Sequence, residues 1–446
     1  MPPGVATLVF TAVIFCLFWL DRESEPRVSP AVWIPIAWLA QAGSRLASEW
    51  MMGSDAVQVG STALSSDRHV EGSPIDRFIL SSLLIAGFLV LVARRERAGA
   101  FLRANGAILL FFLYCGASVL WSDYPDVAFK RWTKALGDLV MILVVLTDDD
   151  PSAAVKRFLT RTGFMLIPLS VLLVKYYPDL GRGYNRWTWT PYYTGVATGK
   201  NGLGYICMLF GLASLWCILE TFREDESEGR VRSLIVHGIV LAMALWLFRL
   251  ADSVTSFACF LIGTVLIVAT SPGRIRRRAA SVHLVMAMLV LFLIFGYFIG
   301  GGTGLVEAMG RDPTLTGRTA LWDDILRMRV DPLFGAGFES FWLGTRIDKL
   351  WAVYWWHPSQ AHNGYLEVFL NLGWTGVCLL AGVIVTGYRN VVRRFAGDPG
   401  TARLALAYFV IALLYNLTEA AFKLIHPVWV VFLLAVCAMP ALAEDR

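Results

Sequence analysis

Apolar stretches of close to twenty residues recur along almost the whole chain, and this limits its fold more than any other feature. About 20 helical residues cross the hydrocarbon core of a bilayer, and a spanning segment must satisfy its own backbone there. The stretches run at about 4–20, 31–43, 75–93, 104–121, 135–147, 158–177, 199–220, 233–250, 254–270, 282–302, 363–387, 404–424 and 426–442. An all-α polytopic membrane protein with twelve or thirteen spans is therefore expected. The segments 31–43 and 135–147 are short, and Pro35 interrupts the first, so both are read as re-entrant or strongly tilted. The first stretch lacks a basic leader and a small-residue cleavage site before Asp21, and is read as a retained helix. Charged residues make up 16% of the 446, against roughly a quarter in soluble domains, which excludes a soluble globule.

Basic residues report orientation, because arginine and lysine are retained on the cytoplasmic side of a membrane. Clusters at Arg94/Arg95/Arg97/Arg103, Lys156/Arg157/Arg161, Arg223/Arg230/Arg232, Arg274/Arg276/Arg277/Arg278 and Arg389/Arg393/Arg394/Arg403 fall at every second connection. One alternating topology puts all five in the cytoplasm. It leaves 44–74, 122–134, 178–198, 251–253, 303–361 and 423–427 outside, with the C-terminus inside. Net charge is only +5 and its cations lie between apolar runs, so a nucleic-acid partner is not expected. The seven cysteines sit inside apolar runs without CxxC spacing, which argues against disulfides or zinc. The chain thus divides into N-terminal helices (1–302), a long external segment (303–361) and C-terminal helices (362–446).

Unusual chemistry gathers outside. The 303–361 segment far exceeds a typical connection of about 4–6 residues, and Leu321, Ile325 and Met328 mark a short amphipathic helix over Thr319–Arg329, with Pro332 following. Next comes Ala361-His362-Asn363-Gly364-Tyr365-Leu366-Glu367, at the external mouth of a span. A carboxylate within a span costs roughly 2.5–3.5 kcal/mol on insertion scales and usually faces a polar cavity or partner, so Glu367 reads either as a site residue or as a structural one. Arg318, in Gly317-Arg318-Thr319-Ala320-Leu321-Trp322, offers a planar fork suited to phosphate oxygens. The glycines of Pro332-Leu333-Phe334-Gly335-Ala336-Gly337-Phe338 would let backbone approach a ligand.

Two further patches carry charge. Arg182, Arg186, Trp187 and Trp189 precede Gly199-Lys200-Asn201-Gly202-Leu203-Gly204, which opens a span where free N–H groups favour an anion. It lacks the upstream glycine and Ser/Thr of a nucleotide-binding P-loop. Asn416, Glu419 and Lys423 end the 404–424 span, where i,i+4 spacing predicts a Glu419–Lys423 pair. His357 and His362 are five apart across Pro358, unlike a zinc-binding HExxH pair, and no external metal set stands out. His69, His237, His283 and His426 have no motif around them and are read as structural.

Along the chain come, in order, Trp121-Ser122 with Pro125 and Arg131; Gly199 to Gly204; Ser253-Val254-Thr255-Ser256; Gly317 to Trp322; Pro332 to Phe338; and His362-Asn363 with Glu367. This ordered set resembles the O-antigen ligase and Wzy-type polymerase superfamily, especially its ExoQ-like exopolysaccharide branch. The likeness runs from about residue 75 to the C-terminus. It implies a GT-C type membrane glycosyltransferase that needs no metal or other cofactor and acts on the periplasmic face of a bacterial inner membrane. Its donor would be an undecaprenyl-diphosphate-linked oligosaccharide and its acceptor a glycan or lipid-linked glycan; membrane lipids and a chain-length regulator are the other expected partners. The resemblance assigns the catalytic base to His362 and diphosphate binding to Arg318. Where the family often carries Arg or Lys, this chain has Val254, so Arg186, Lys200 or Arg249 is expected to supply the second charge. Asn201, Asn363 and Glu367 complete the expected substrate-binding set.

The chemistry agrees with that role. A diphosphate leaving group needs fixed cations in a dry site, and imidazole serves as a base near neutral pH. The expected reaction is direct, inverting displacement at the anomeric carbon. Loop tryptophans Trp187, Trp189, Trp322, Trp342, Trp351, Trp355 and Trp356 would stack on sugars or anchor at the interface. Polymerisation of lipid-linked repeat units is the leading expectation, transfer of a finished glycan by a ligase the second. A lipid-linked glycan transporter is the third, disfavoured because no internal repeat or paired helix interruption is evident.

Overall fold

In a computed structural model, residues 1–22, 28–52, 73–184, 190–223, 229–271, 282–288 and 318–439 are described. The helices are α1 Pro3–Leu20, α2 Trp33–Ala42, α3 Ala47–Met52, α4 Pro74–Ala93, α5 Arg95–Ala104, α6 Gly106–Ala117, α7 Pro125–Leu146 and α8 Pro151–Tyr176. They continue as α9 Lys200–Thr221, α10 Arg230–Ala251, α11 Val254–Ala269, α12 Arg318–Arg327, α13 Thr345–Val353, α14 Gly364–Gly397, α15 Pro399–Tyr415 and α16 Pro427–Val436. A small antiparallel hairpin pairs β1 Arg182–Tyr184 with β2 Pro191–Tyr193.

Among the described residues, six helices are long and apolar enough to cross a membrane: α1, α4, α8, α9, α10 and α14. Four shorter apolar helices accompany them, at Pro30–Ala42, Val254–Ala269, Pro399–Tyr415 and Pro427–Val436. The protein is an all-α, multi-pass membrane protein. Its centre is α8, α9, α15 and α16, whose side chains are buried nearly all round. The outer helices α1 and α4 turn Leu8, Phe15, Phe78, Phe88 and Leu89 outward, where lipid would meet them; an apolar surface on all sides is what a membrane span requires.

Several expected spans take a different form. The 104–121 stretch belongs to a pair, α5 and then α6 with its 3-10 extension to Trp121, bent by 90° at Asn105. Asn105 holds the bend by exchanging hydrogen bonds with Ala438. The 135–147 stretch is the second half of α7, which Pro125 starts ten residues earlier. The 404–424 stretch is helical only to Tyr415. The 282–302 stretch is described only at 282–288, which is helical.

Polar contacts sort the connections into two sets. Arg94 pairs with Asp148 at 2.8 Å, Arg97 with Asp149, Arg161 with Asp21 and Arg403 with Glu220 at 2.7 Å. The basic clusters of the described residues therefore meet on one face, while Arg274 to Arg278 lie outside the described residues. The opposite end carries Lys200–Asp252, Arg346–Asp123 and the loops around His362.

Candidate functional site

His362 precedes α14, and its loop is fixed on every side. The Ala361 N–H donates to Glu367 at 2.5 Å, and the Ala361 carbonyl accepts from the Trp322 indole at 2.7 Å. Asn363 caps the helix by accepting from the Tyr365 and Leu366 amides, and the Gly364 amide donates to the Asn416 and Glu419 carbonyls. Between these anchors His362 takes φ 52°, a left-handed conformation that costs a non-glycine residue about 1–3 kcal/mol and often marks a working site.

The imidazole reaches across to the connection between α15 and α16. Its Nδ1 lies 3.2 Å from Glu419 Oε2. The other carboxylate oxygen, Oε1, accepts from Asn201 Nδ2 at 2.9 Å and from Arg318 Nη2 at 3.2 Å. Arg318 Nη1 also donates to the Thr418 carbonyl, and the Thr418 and Thr255 hydroxyls are 3.0 Å apart. One carboxylate thus joins four dispersed segments: the starts of α9, α12 and α14, and the 416–426 loop. Burial alone would raise the Glu419 carboxyl, but the hydrogen bond and charge of His362, and then Arg318, hold it below the ordinary 4.5.

The helix starts come close because small residues line them. A Cβ on Gly204 would lie 2.6 Å from the Ser253 side chain, so glycine there lets α9 approach α11. The N-caps Gly199 and Ser253 give their helices no side-chain cap, leaving amides free to face an anion beside Arg318.

The expected site residues separate into groups. His362, Arg318 and Asn201 meet around Glu419, a residue the sequence reading paired with Lys423. That pairing is overturned: residues 416–426 are not helical, so i,i+4 spacing does not apply, and Lys423 donates instead to Gln360 Oε1 at 2.8 Å. Lys200, beside Asn201 in sequence, pairs with Asp252 at 3.2 Å. Arg249 is exposed near the end of α10, and Arg186 lies outside the described residues. The carbonyl oxygen of Asn363 is used in capping, and its amide donates to the Leu417 carbonyl. Glu367 is buried, accepting from both Ala361 and the Trp342 indole; its carboxylate faces protein groups behind His362.

The glycines of 332–338 also meet protein. Ala336 donates to the Leu370 carbonyl, and the Trp374 amide to the Pro332 carbonyl. A Cβ on Gly335 would lie 2.4 Å from Asn371 backbone, and one on Gly373 2.3 Å from Leu333 backbone. The segment docks where α14 breaks, at Gly373 with φ 64° and ψ −168°. The Trp121-Ser122 and Arg131 motif holds its other side, through Trp121 to Phe334, Ser122 to Ser340 and Arg131 to the Glu339 carbonyl. These motifs frame the site, and three loop tryptophans use their indole N–H internally: Trp322, Trp342 and Trp351.

Behind His362 lies a cavity of about 90 Å³, lined by Glu339, Trp342, Gln360, Glu367 and Lys423 among aromatic rings. Burial pushes the Glu339 carboxyl above 4.5, against Arg131 and Lys423. Among the described residues no three His, Cys, Asp or Glu side chains gather as a metal set.

Comparison with known proteins adds an independent line. A family described as O-antigen ligase matches residues 234–381, which include Arg318 and His362. The exopolysaccharide production protein ExoQ of Rhizobium meliloti (strain 1021) is 24% identical over 322 residues, covering 69% of this chain and 70% of that protein. A protein of Rickettsia prowazekii (strain Madrid E), provisionally named a polysaccharide ligase, is 20% identical over 400 residues, covering 83% of this chain and 93% of its own. The apolar helices and the motif order thus go with a likeness to the O-antigen ligase family over residues 234–381, and to two proteins of polysaccharide assembly over most of the chain.

Proposed function

We propose that the protein polymerises glycan repeat units carried on undecaprenyl diphosphate, at the periplasmic face of a bacterial inner membrane. The observation that carries this reading is the bridge from Arg318 through Glu419 to His362. It sets a permanent cation and a base one carboxylate apart.

In the reaction, an acceptor sugar hydroxyl attacks the anomeric carbon of the donor glycan. A new C–O glycosidic bond forms and the anomeric C–O bond to the diphosphate breaks, with inversion. His362 takes the hydroxyl proton through Nε2, and undecaprenyl diphosphate leaves with the electron pair. Arg318 and the N–H groups opening α9 and α11 stabilise its charge, an electrostatic contribution commonly worth about 10²–10³ in rate for each donor removed. We assign the second cation to Lys200, which adjoins Asn201 and gains freedom when the anion replaces Asp252. Asn363 and Glu367 hold the His362 loop in place.

Purified protein reconstituted with an undecaprenyl-diphosphate repeat unit is expected to build a ladder of lipid-linked glycans, absent with His362→Ala. A single product on an added acceptor, with no ladder, would replace the polymerase reading with the ligase reading suggested by the Rickettsia protein's name. An undiminished ladder from His362→Ala would remove His362 as the base.

A further inference from the structure

Glu419 does more than join segments, because it and Gln360 make incompatible demands on one nitrogen. Lys423 can only donate, so its 2.8 Å contact fixes Gln360 with Oε1 toward the lysine and Nε2 toward His362 Nδ1, 3.5 Å away. The same Nδ1 faces Glu419 Oε2 at 3.2 Å. A protonated Nδ1 satisfies Glu419; an unprotonated one satisfies Gln360. We infer that Glu419 is the positioning residue that sets His362 in its Nδ1–H tautomer, leaving the Nε2 lone pair free, against a standing pull from Gln360 toward the opposite tautomer.

The nearer, charged acceptor forms the stronger bond, so Glu419 prevails. The other charged groups around the ring are Arg318 on α12, behind Glu419; Lys423, behind Gln360; and Glu367 on α14, behind Ala361. Arg318 and Asn201 both donate to Oε1, which makes the conservative substitution decisive. In Glu419→Gln these two donors retain the amide oxygen, so the amide nitrogen turns to His362. Nδ1 then faces two donors and must accept.

The role in catalysis rests on His362 being the base; the tautomer does not. Protein carrying 15N-labelled histidine in lipid nanodiscs, with the His362 signal identified by its loss in His362→Asn, reports the tautomer directly. Wild type is expected to show Nδ1–H, Glu419→Asp to keep it, and Glu419→Gln to switch to Nε2–H. With the repeat-unit donor, Glu419→Gln is expected to lower kcat by about 10³–10⁴ with KM changed only a few-fold, as when the orienting carboxylate of a serine-protease triad is neutralised. Glu419→Asp is expected to recover at least tenfold of that loss. An Nε2–H signal in wild type overturns the inference even if Glu419→Gln fails to fold, and so does an unchanged tautomer in a folded Glu419→Gln, or an unchanged kcat there while His362→Ala is inactive. Full activity in His362→Ala with the expected tautomers would instead remove only the catalytic reading.

Discussion

At the scale of single residues, groups with no substrate chemistry of their own set the site's geometry. Asn416 accepts from the Ala421 and Phe422 amides and so shapes the loop that presents Glu419. Asn416→Ala would leave two buried donors unpaired, at about 1–3 kcal/mol each. Polysaccharide synthesis is expected to fall in proportion to loop order, which hydrogen exchange across 416–426 would report. A methyl group on Gly364 would lie 1.8 Å from Asn416 Oδ1, so Gly364→Ala is expected to resemble Asn416→Ala in both readouts. Glu419 adds a pH dependence. Its folded carboxyl lies below 4.5, so its contribution is complete above about pH 4.5 and is lost as pH falls through the lower folded value. The Tm difference between wild type and Glu419→Gln in detergent is expected at pH 7 and to shrink below pH 4.5; a constant difference would count against the charge network.

At the scale of elements, the break in α14 does the positioning. Residues 364–372 form a short half-helix that starts at the His362 loop and ends where 332–336 adds its own backbone hydrogen bonds. Gly373 adopts φ 64° and ψ −168°, a region open essentially to glycine alone. Gly373→Ala would bring both backbone strain and a clash with Leu333, and is expected to cost about 3 kcal/mol or more. Thermal unfolding in detergent would measure it, and an alanine variant as stable as wild type would mean that the break is not required. The element also explains what the motifs reveal and what they conceal. His362 was legible at the mouth of a span and Arg318 as a motif arginine in the long external segment, whereas the 332–338 glycines looked ligand-facing because sequence cannot tell close approach to a ligand from close approach to protein.

At the scale of the whole molecule, charge separates the two ends. Arginines of the described basic clusters pair with Asp148, Asp21 and Glu220 on one face, and the His362–Glu419 network lies on the other. Exposed Asp149 and Asp252 mark the two faces. With exposed Cys16 and Cys378 replaced, a cysteine at 252 in intact cells with a permeable outer membrane is expected to react with a membrane-impermeant thiol reagent. One at 149 is expected to react only after the inner membrane is opened, and the reverse pattern would invert the orientation.

The sequence alone determined the class of the protein, since near-twenty-residue apolar runs have few outcomes other than helices across a bilayer, and alternating arginine clusters bias their direction. It also pointed to His362, Arg318 and Asn201, through motifs at the mouths of spans and in the long external segment and through their resemblance to a known family. Only the tertiary structure decided which of them meet. Glu419 was misread because its i,i+4 relation to Lys423 presupposes a helix, and the chain leaves that conformation at Tyr415 to satisfy Asn416, Gly364 and Arg318. Local spacing describes neighbours along an element, but the carboxylate's partners come from positions 201, 318 and 362, joined by the packing of helix ends that no local pattern encodes.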